Sequence, residues 1–177
     1  ARSLPLLGSL KEAALYAWHA APIRTFLPLV ALVSLTASPY VVLMPVFARD
    51  VFQGGAHTLG FLVGSAGFGA VIGTAFLATR PNVLGLSRLV APTTALAGLA
   101  LILVGASKLY WLSLALMAAL GFGIIVTAAS VNMMLQSIVE EDKRGRIVSF
   151  YAMAFLGVAP FGGLIAGTLA GHIGAPL

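Results

Sequence analysis

Long apolar runs separated by short polar stretches make up this 177-residue chain. Five of them, at about 26–48, 59–79, 89–106, 111–139 and 147–173, are long enough to cross a bilayer. A hydrocarbon core of about 30 Å needs about 20 apolar residues of helix at about 1.5 Å each. None of the five has an ionisable side chain near its middle, and none shows the strict polar–apolar alternation of a membrane β-barrel strand. Backbone polar groups in hydrocarbon must be paired within the segment, so each run is predicted to be helical. The pattern therefore predicts an all-α integral membrane protein with five transmembrane helices. The polar stretches between them, 49–58, 80–88, 107–110 and 140–146, are expected to be loops short enough to make consecutive spans antiparallel.

The segment before the first run has a different pattern. Ser9 followed by Glu12 fits a capping box. Leu10, Ala14, Ala17, Trp18 and Ala21 then recur at helical spacing, with Lys11, Glu12 and His19 off that face, up to an expected stop at Pro22. Residues 1–24 are expected to be a cytoplasmic linker holding an amphipathic interfacial helix, or alternatively a helix packed on another part of the protein. Residues 25–177 would be the membrane bundle.

Composition agrees with this class. The chain is 60% hydrophobic and 8% charged, whereas soluble domains are roughly 45–50% apolar and about 25% charged. It has no cysteine, which excludes disulfides, thiolate metal sites and cysteine nucleophiles. The net charge of +5 does not point to nucleic acid once the bases are placed along the chain. Arg2, Lys11, Arg24, Arg80, Arg88, Lys143, Arg144 and Arg146 fall on one side of the expected topology, and only Arg49 and Lys108 on the other. That asymmetry places the N-terminus and the 80–88 and 140–146 connections in the cytoplasm. The expected location is a cell membrane, the bacterial inner membrane in particular. The start at Ala1-Arg2 and the end at Leu177, after an odd number of spans, read as a piece of a longer protein.

Glycines and prolines occur within the apolar runs. Gly60 with Gly64, Gly69 with Gly73, and Gly163 with Gly167 and Gly171 have the small-xxx-small spacing that lets membrane helices approach closely. Such faces serve static packing or a sliding contact between helices that rock. Pro28, Pro39 and Pro45 are expected to interrupt the first span, and Pro160 the fifth.

Few polar side chains lie within the spans. Thr36 and Tyr40 share a face of the first, Asn132 and Gln136 a face of the fourth, and Ser149 and Tyr151 open the fifth. They are read either as interhelical glue or as the lining of a cavity. Glu141, Asp142, Lys143, Arg144 and Arg146 are read as a cytoplasmic gate held by salt bridges, or as fixing topology alone. Catalytic patterns are missing: no P-loop, no G-x-S-x-G elbow and no metal-ligand spacing among His19, His57 and His172. No cofactor or metal is expected, and no membrane-embedded carboxylate is present in the runs.

Several of these segments in order resemble a known family. They are Pro39-Tyr40, Pro45-Val46-Phe47-Ala48-Arg49-Asp50, Leu59-Gly60-Phe61-Leu62, Gly67-Phe68-Gly69-Ala70, Asn132, Gln136 and Arg144-Gly145-Arg146-Ile147-Val148-Ser149. Together they are similar to the C-terminal half of a major facilitator superfamily exporter, in the branch of the enterobactin exporter and macrolide-type efflux proteins. The resemblance implies spans seven to eleven of twelve, and thus five helices of a six-helix half bundle. It implies alternating access around a central cavity, with Thr36, Tyr40, Asn132, Gln136 and Tyr151 lining it and 144–146 in an inner gate. It also implies that the third span lies outside the cavity. Partners would be the lipid bilayer, the N-terminal half of the same transporter and a small amphipathic substrate. Between the second and third spans, 79–88 lacks the aspartate of the superfamily's acidic-basic signature, so that signature's locking role is not carried over. The competing function is a non-transporting membrane assembly or scaffold subunit.

Overall fold

The computed structural model describes residues 21–37, 39–80, 83 and 85–173. Among them are the helices α1 (Ala21–Ala37), α2 (Pro39–Val46), α3 (Ala56–Ala78), α4 (Leu86–Ala106), α5 (Tyr110–Ile138), α6 (Glu141–Ala152) and α7 (Ala159–Ile173). Two π turns complete them: Phe47–Val51 follows α2, and Met153–Gly157 joins α6 to α7. These elements make five apolar spans, Ile23–Val51, Ala56–Ala78, Leu86–Ala106, Tyr110–Ile138 and Lys143–Thr168. The described residues are all-α, with five membrane-spanning helices.

The connections are shorter than the polar stretches suggested. Residues 49–51 belong to the π turn, 56–58 to α3, and Tyr110 to α5. The stretch 140–146 is not a loop, because α6 begins at Glu141 and carries the charged residues on its first turns. Glu, Lys and Arg are good helix formers, so a helix can start in the headgroup region before its apolar part begins. Pro22 is helical within α1 rather than its stop, and the proposed Ser9–Glu12 helix start lies outside the described residues. Pro28 is accommodated inside α1, and Pro39 is the first residue of α2. Pro160 is the second residue of α7, where its missing N–H deprives the helix of little.

α5 is the central helix: half of its apolar window is buried, against less than a third in each other span. Two glycines on opposite faces put it there. A Cβ on Gly121 would collide with the Ala66 carbonyl of α3, and one on Gly123 would meet the Thr93 carbonyl of α4 at 2.7 Å. In return, Gly69 of α3 lies against the Ala118 carbonyl of α5, and Gly73 against Ile125 and Val126. Lipid tails are as apolar as the side chains, so close backbone approach is what holds such helices together.

Two apolar cores fill the bundle at different depths. One gathers Val30, Leu77, Val90, Val126, Leu135, Ile147 and Tyr151, toward the 139–146 end. The other gathers Met44, Phe47, Leu62, Ala97, Met117 and Leu120, toward the 49–58 end. Between them runs a layer of hydroxyls. Thr127 Oγ1 lies 2.8 Å from Thr93 Oγ1 and 3.2 Å from Thr94 Oγ1, and Thr93 also donates to the Leu89 carbonyl at 2.7 Å.

Candidate functional site

The polar residues of α5 and α6 form a connected group. Asn132 and Gln136 are one turn apart, so helical geometry sets them on one face. The Gln136 amide donates to Asn132 Oδ1. The Tyr151 hydroxyl lies close to the Asn132 side chain. Tyr151 is buried, donates from its hydroxyl to the Ala128 carbonyl at 2.9 Å and stacks on Phe155. Asn132 is half-buried and Gln136 exposed, so the group runs from the core of the bundle to its surface. Their neutral donors and acceptors can hydrogen-bond a ligand but supply neither a nucleophile nor an embedded charge.

Thr36 and Tyr40 do not join this group. Thr36 satisfies its hydroxyl within α1, donating to the Leu32 carbonyl at 2.8 Å. It lines a separate cavity of about 160 Å³ between α1, α4 and α5, together with Thr94, Gly98 and Leu120. Tyr40 is half-buried against the core that contains Met44, Leu62 and Met117. Thr93, Thr94 and Thr127 escaped the sequence reading. The adjacent Thr93-Thr94 pair was their signal, but the resemblance placed the third span outside the cavity.

The ion pair described at the start of α6 is a local one. Lys143 Nζ binds Glu140 Oε2 at 2.8 Å, across less than one turn. Glu141, Arg144 and Arg146 are exposed, while the side chain of Asp142 lies outside the described ones. A second ion pair, Arg49 with Asp50 at 2.7 Å, joins neighbours at the far end of the first span. Neither described pair bridges two helices.

The glycine motifs divide by face. Gly69 and Gly73 are buried in the α3–α5 contact, whereas Gly60 and Gly64 of the same helix face open space. The step from Gly64 to Gly69 turns a helix by about 140°, so the two motifs look in different directions. On α7, a Cβ on Gly163 would stand 3.2 Å from Val42, and Gly167 has nothing near it. The neighbouring Gly162, which the spacing rule passed over, lies against the Leu35 carbonyl of α1. Gly171 is helical, with its surroundings outside the described residues.

No group of three His, Asp or Glu able to hold a metal occurs among the described residues. Comparison with known proteins identifies one family, described as transmembrane secretion effector, which matches residues 3–177. No curated protein and no solved structure matches the chain significantly. Five apolar spans and a family match over nearly the whole length agree on the class, a multi-pass membrane transport protein rather than an enzyme. The chain belongs to the transmembrane secretion effector family of the major facilitator superfamily.

Proposed function

We propose that this chain is the C-terminal half of a secondary-active exporter that moves a siderophore-like or drug-like amphipathic compound by alternating access. In this reading residues 25–177 supply five of six helices of one half bundle, and residues 1–24 form the cytoplasmic linker to the other half. The N-terminus faces the cytoplasm of a bacterial cell, and Glu141, Asp142, Lys143, Arg144 and Arg146 lie at the inner gate. The observation that carries the proposal is the Asn132–Gln136–Tyr151 group. Asn132 stands further into α5 than Gln136, where an amide turned to lipid is costly, and polar groups at that depth face a cavity or another part of the protein. A substrate passing that face meets amide donors and acceptors already oriented by one another, with the Tyr151 hydroxyl close by.

The test uses cells carrying the complete transporter and a fluorescent amphipathic efflux substrate. Asn132→Ala and Gln136→Ala each lower the efflux rate about tenfold, the effect of losing one good hydrogen bond to the substrate. Membrane abundance of the protein stays the same. Unchanged efflux in both variants overturns the proposal in favour of a scaffold role.

A further inference from the structure

The end of the bundle remote from α6 contains a cavity of about 570 Å³ that the transport site does not use. Gln53, His57 and Lys108 bring nitrogen donors to it, and Phe52, Phe61 and Tyr110 supply aromatic walls. No carboxylate lines it. The nearby Asp50 is engaged by Arg49, and among the described residues Lys108 has no acidic partner.

Local bonds hold the cavity in shape. The Phe52 N–H donates to the Phe47 carbonyl at 3.1 Å, closing the π turn, and the Gly54 N–H donates to the Ala48 carbonyl at 2.8 Å. Between these two anchored residues, Gln53 adopts a left-handed backbone with φ 49°. That conformation is uncommon for a side-chain-bearing residue and is sustained by its surroundings. Phe52 and Tyr110 meet edge to face at 5.6 Å, tying this turn to the start of α5.

The surroundings identify the ligand. Leu109 and Trp111, one and three residues after the base, are 68% and 81% exposed. Exposed Trp beside a Lys at the end of a membrane span marks headgroup depth. From the cavity the apolar surface continues down α3 through Phe61, Phe68 and Val71, all strongly exposed. A ligand that fits has an anionic head and an apolar body reaching into the bilayer. We propose that this cavity binds the phosphate headgroup of an anionic phospholipid, with Lys108 and His57 on the phosphate and Phe61 beside the glycerol and first acyl carbons.

Trp111 reports on the site directly. The chain has two tryptophans, and Trp18→Phe, with Phe also replacing any tryptophan elsewhere in the complete transporter, leaves Trp111 as the sole emitter. In bilayers containing brominated phosphatidylglycerol or brominated phosphatidylcholine, quenching of Trp111 shows the anionic lipid favoured about fivefold, the scale expected of one base near a membrane surface. Lys108→Arg keeps the preference, and Lys108→Gln combined with His57→Gln brings it close to one. These side chains are exposed, so the variants keep the fold. Equal quenching by the two lipids, or a preference that survives the double substitution, overturns the proposal. Loss of the preference on adding millimolar glycerol 3-phosphate also overturns it, since the site would then bind a soluble anion.

Discussion

At the scale of single residues, the bundle depends on where side chains are missing. The Ala66 carbonyl occupies the space in which a Cβ on Gly121 would stand, and the Ala118 carbonyl does the same at Gly69. Both obstructions are backbone atoms, which cannot rotate aside as a side chain can. Gly121→Ala therefore separates α3 from α5, with an expected loss of about 1–3 kcal/mol, the usual cost of overpacking. Gly64→Ala meets nothing within 4 Å, and its effect stays within about 0.5 kcal/mol, as for surface changes generally. Thermal unfolding in detergent, followed by the loss of monodisperse protein, compares the two. Equal midpoints would show that the close α3–α5 approach contributes nothing to stability. Spacing in the sequence cannot separate these glycines, since Gly60–Gly64 and Gly69–Gly73 have the same motif. Only the partner helix distinguishes them, and Gly121 and Gly123 have no such motif between them. Asn132 and Gln136 were legible for the opposite reason: amides are rare in apolar runs, whereas threonines such as Thr93, Thr94 and Thr127 are ordinary there.

At the scale of elements, the first and fifth spans differ from the three between them. Each contains a π turn, and each carries proline at or beside it: Pro45 before Phe47–Val51, and Pro160 after Met153–Gly157. A π turn widens the helix and leaves carbonyls poorly paired, which in lipid demands another donor. Ser34 of α1 supplies one: its buried hydroxyl donates to the Phe155 carbonyl inside the second π turn. The irregularity in one span is thus stabilised by a side chain of the other. Ser34→Ala removes this donor at a net cost of about 1 kcal/mol. Exchange of the amides in 153–157 should then rise about fivefold by local opening, while those of α4 stay unchanged. Mass-spectrometric hydrogen exchange resolves the two segments, and equal protection in both would remove Ser34 from this role. The existence of the spans was readable because lipid imposes a length and an apolarity on every crossing helix. Their irregularities were not, since the second π turn is met by a donor more than a hundred residues away in the sequence. The helical start at Glu141 is not legible from charge alone, because charged residues make loops and also begin helices where a span meets water.

At the scale of the whole molecule, charge and glycine contacts bear on orientation and on how the bundle divides. α3, α4 and α5 interlock through backbone contacts at Gly69, Gly121 and Gly123, whereas α1 and α7 meet each other at Leu35 and Gly162. The same division separates regular spans from those with π turns, giving a tight three-helix unit and a pair of bent spans beside it. Alternating access, as proposed, needs both ends of the bundle to be reachable from water on their own sides of the membrane. The bases forecast which side is which: Arg80, Arg88, Lys143, Arg144 and Arg146 lie at one end, Arg49 and Lys108 at the other. In the proposed orientation, with Lys and Arg of short connections kept in the cytoplasm, α6 lies inside and the 107–109 connection outside. This chain has no cysteine, so each introduced thiol is its only labelling site. Gly55→Cys, Lys108→Cys, Arg80→Cys and Arg144→Cys all replace exposed residues. In intact cells a membrane-impermeant maleimide labels the first two and leaves the last two unlabelled until the membrane is opened. Labelling of Arg80→Cys and Lys108→Cys from the same side would contradict an odd single crossing by α4, and with it the five-span topology. Labelling of all four positions with inside and outside exchanged would keep the spans but reverse the orientation, placing the α6 charges at the outer mouth and excluding them from any cytoplasmic gate.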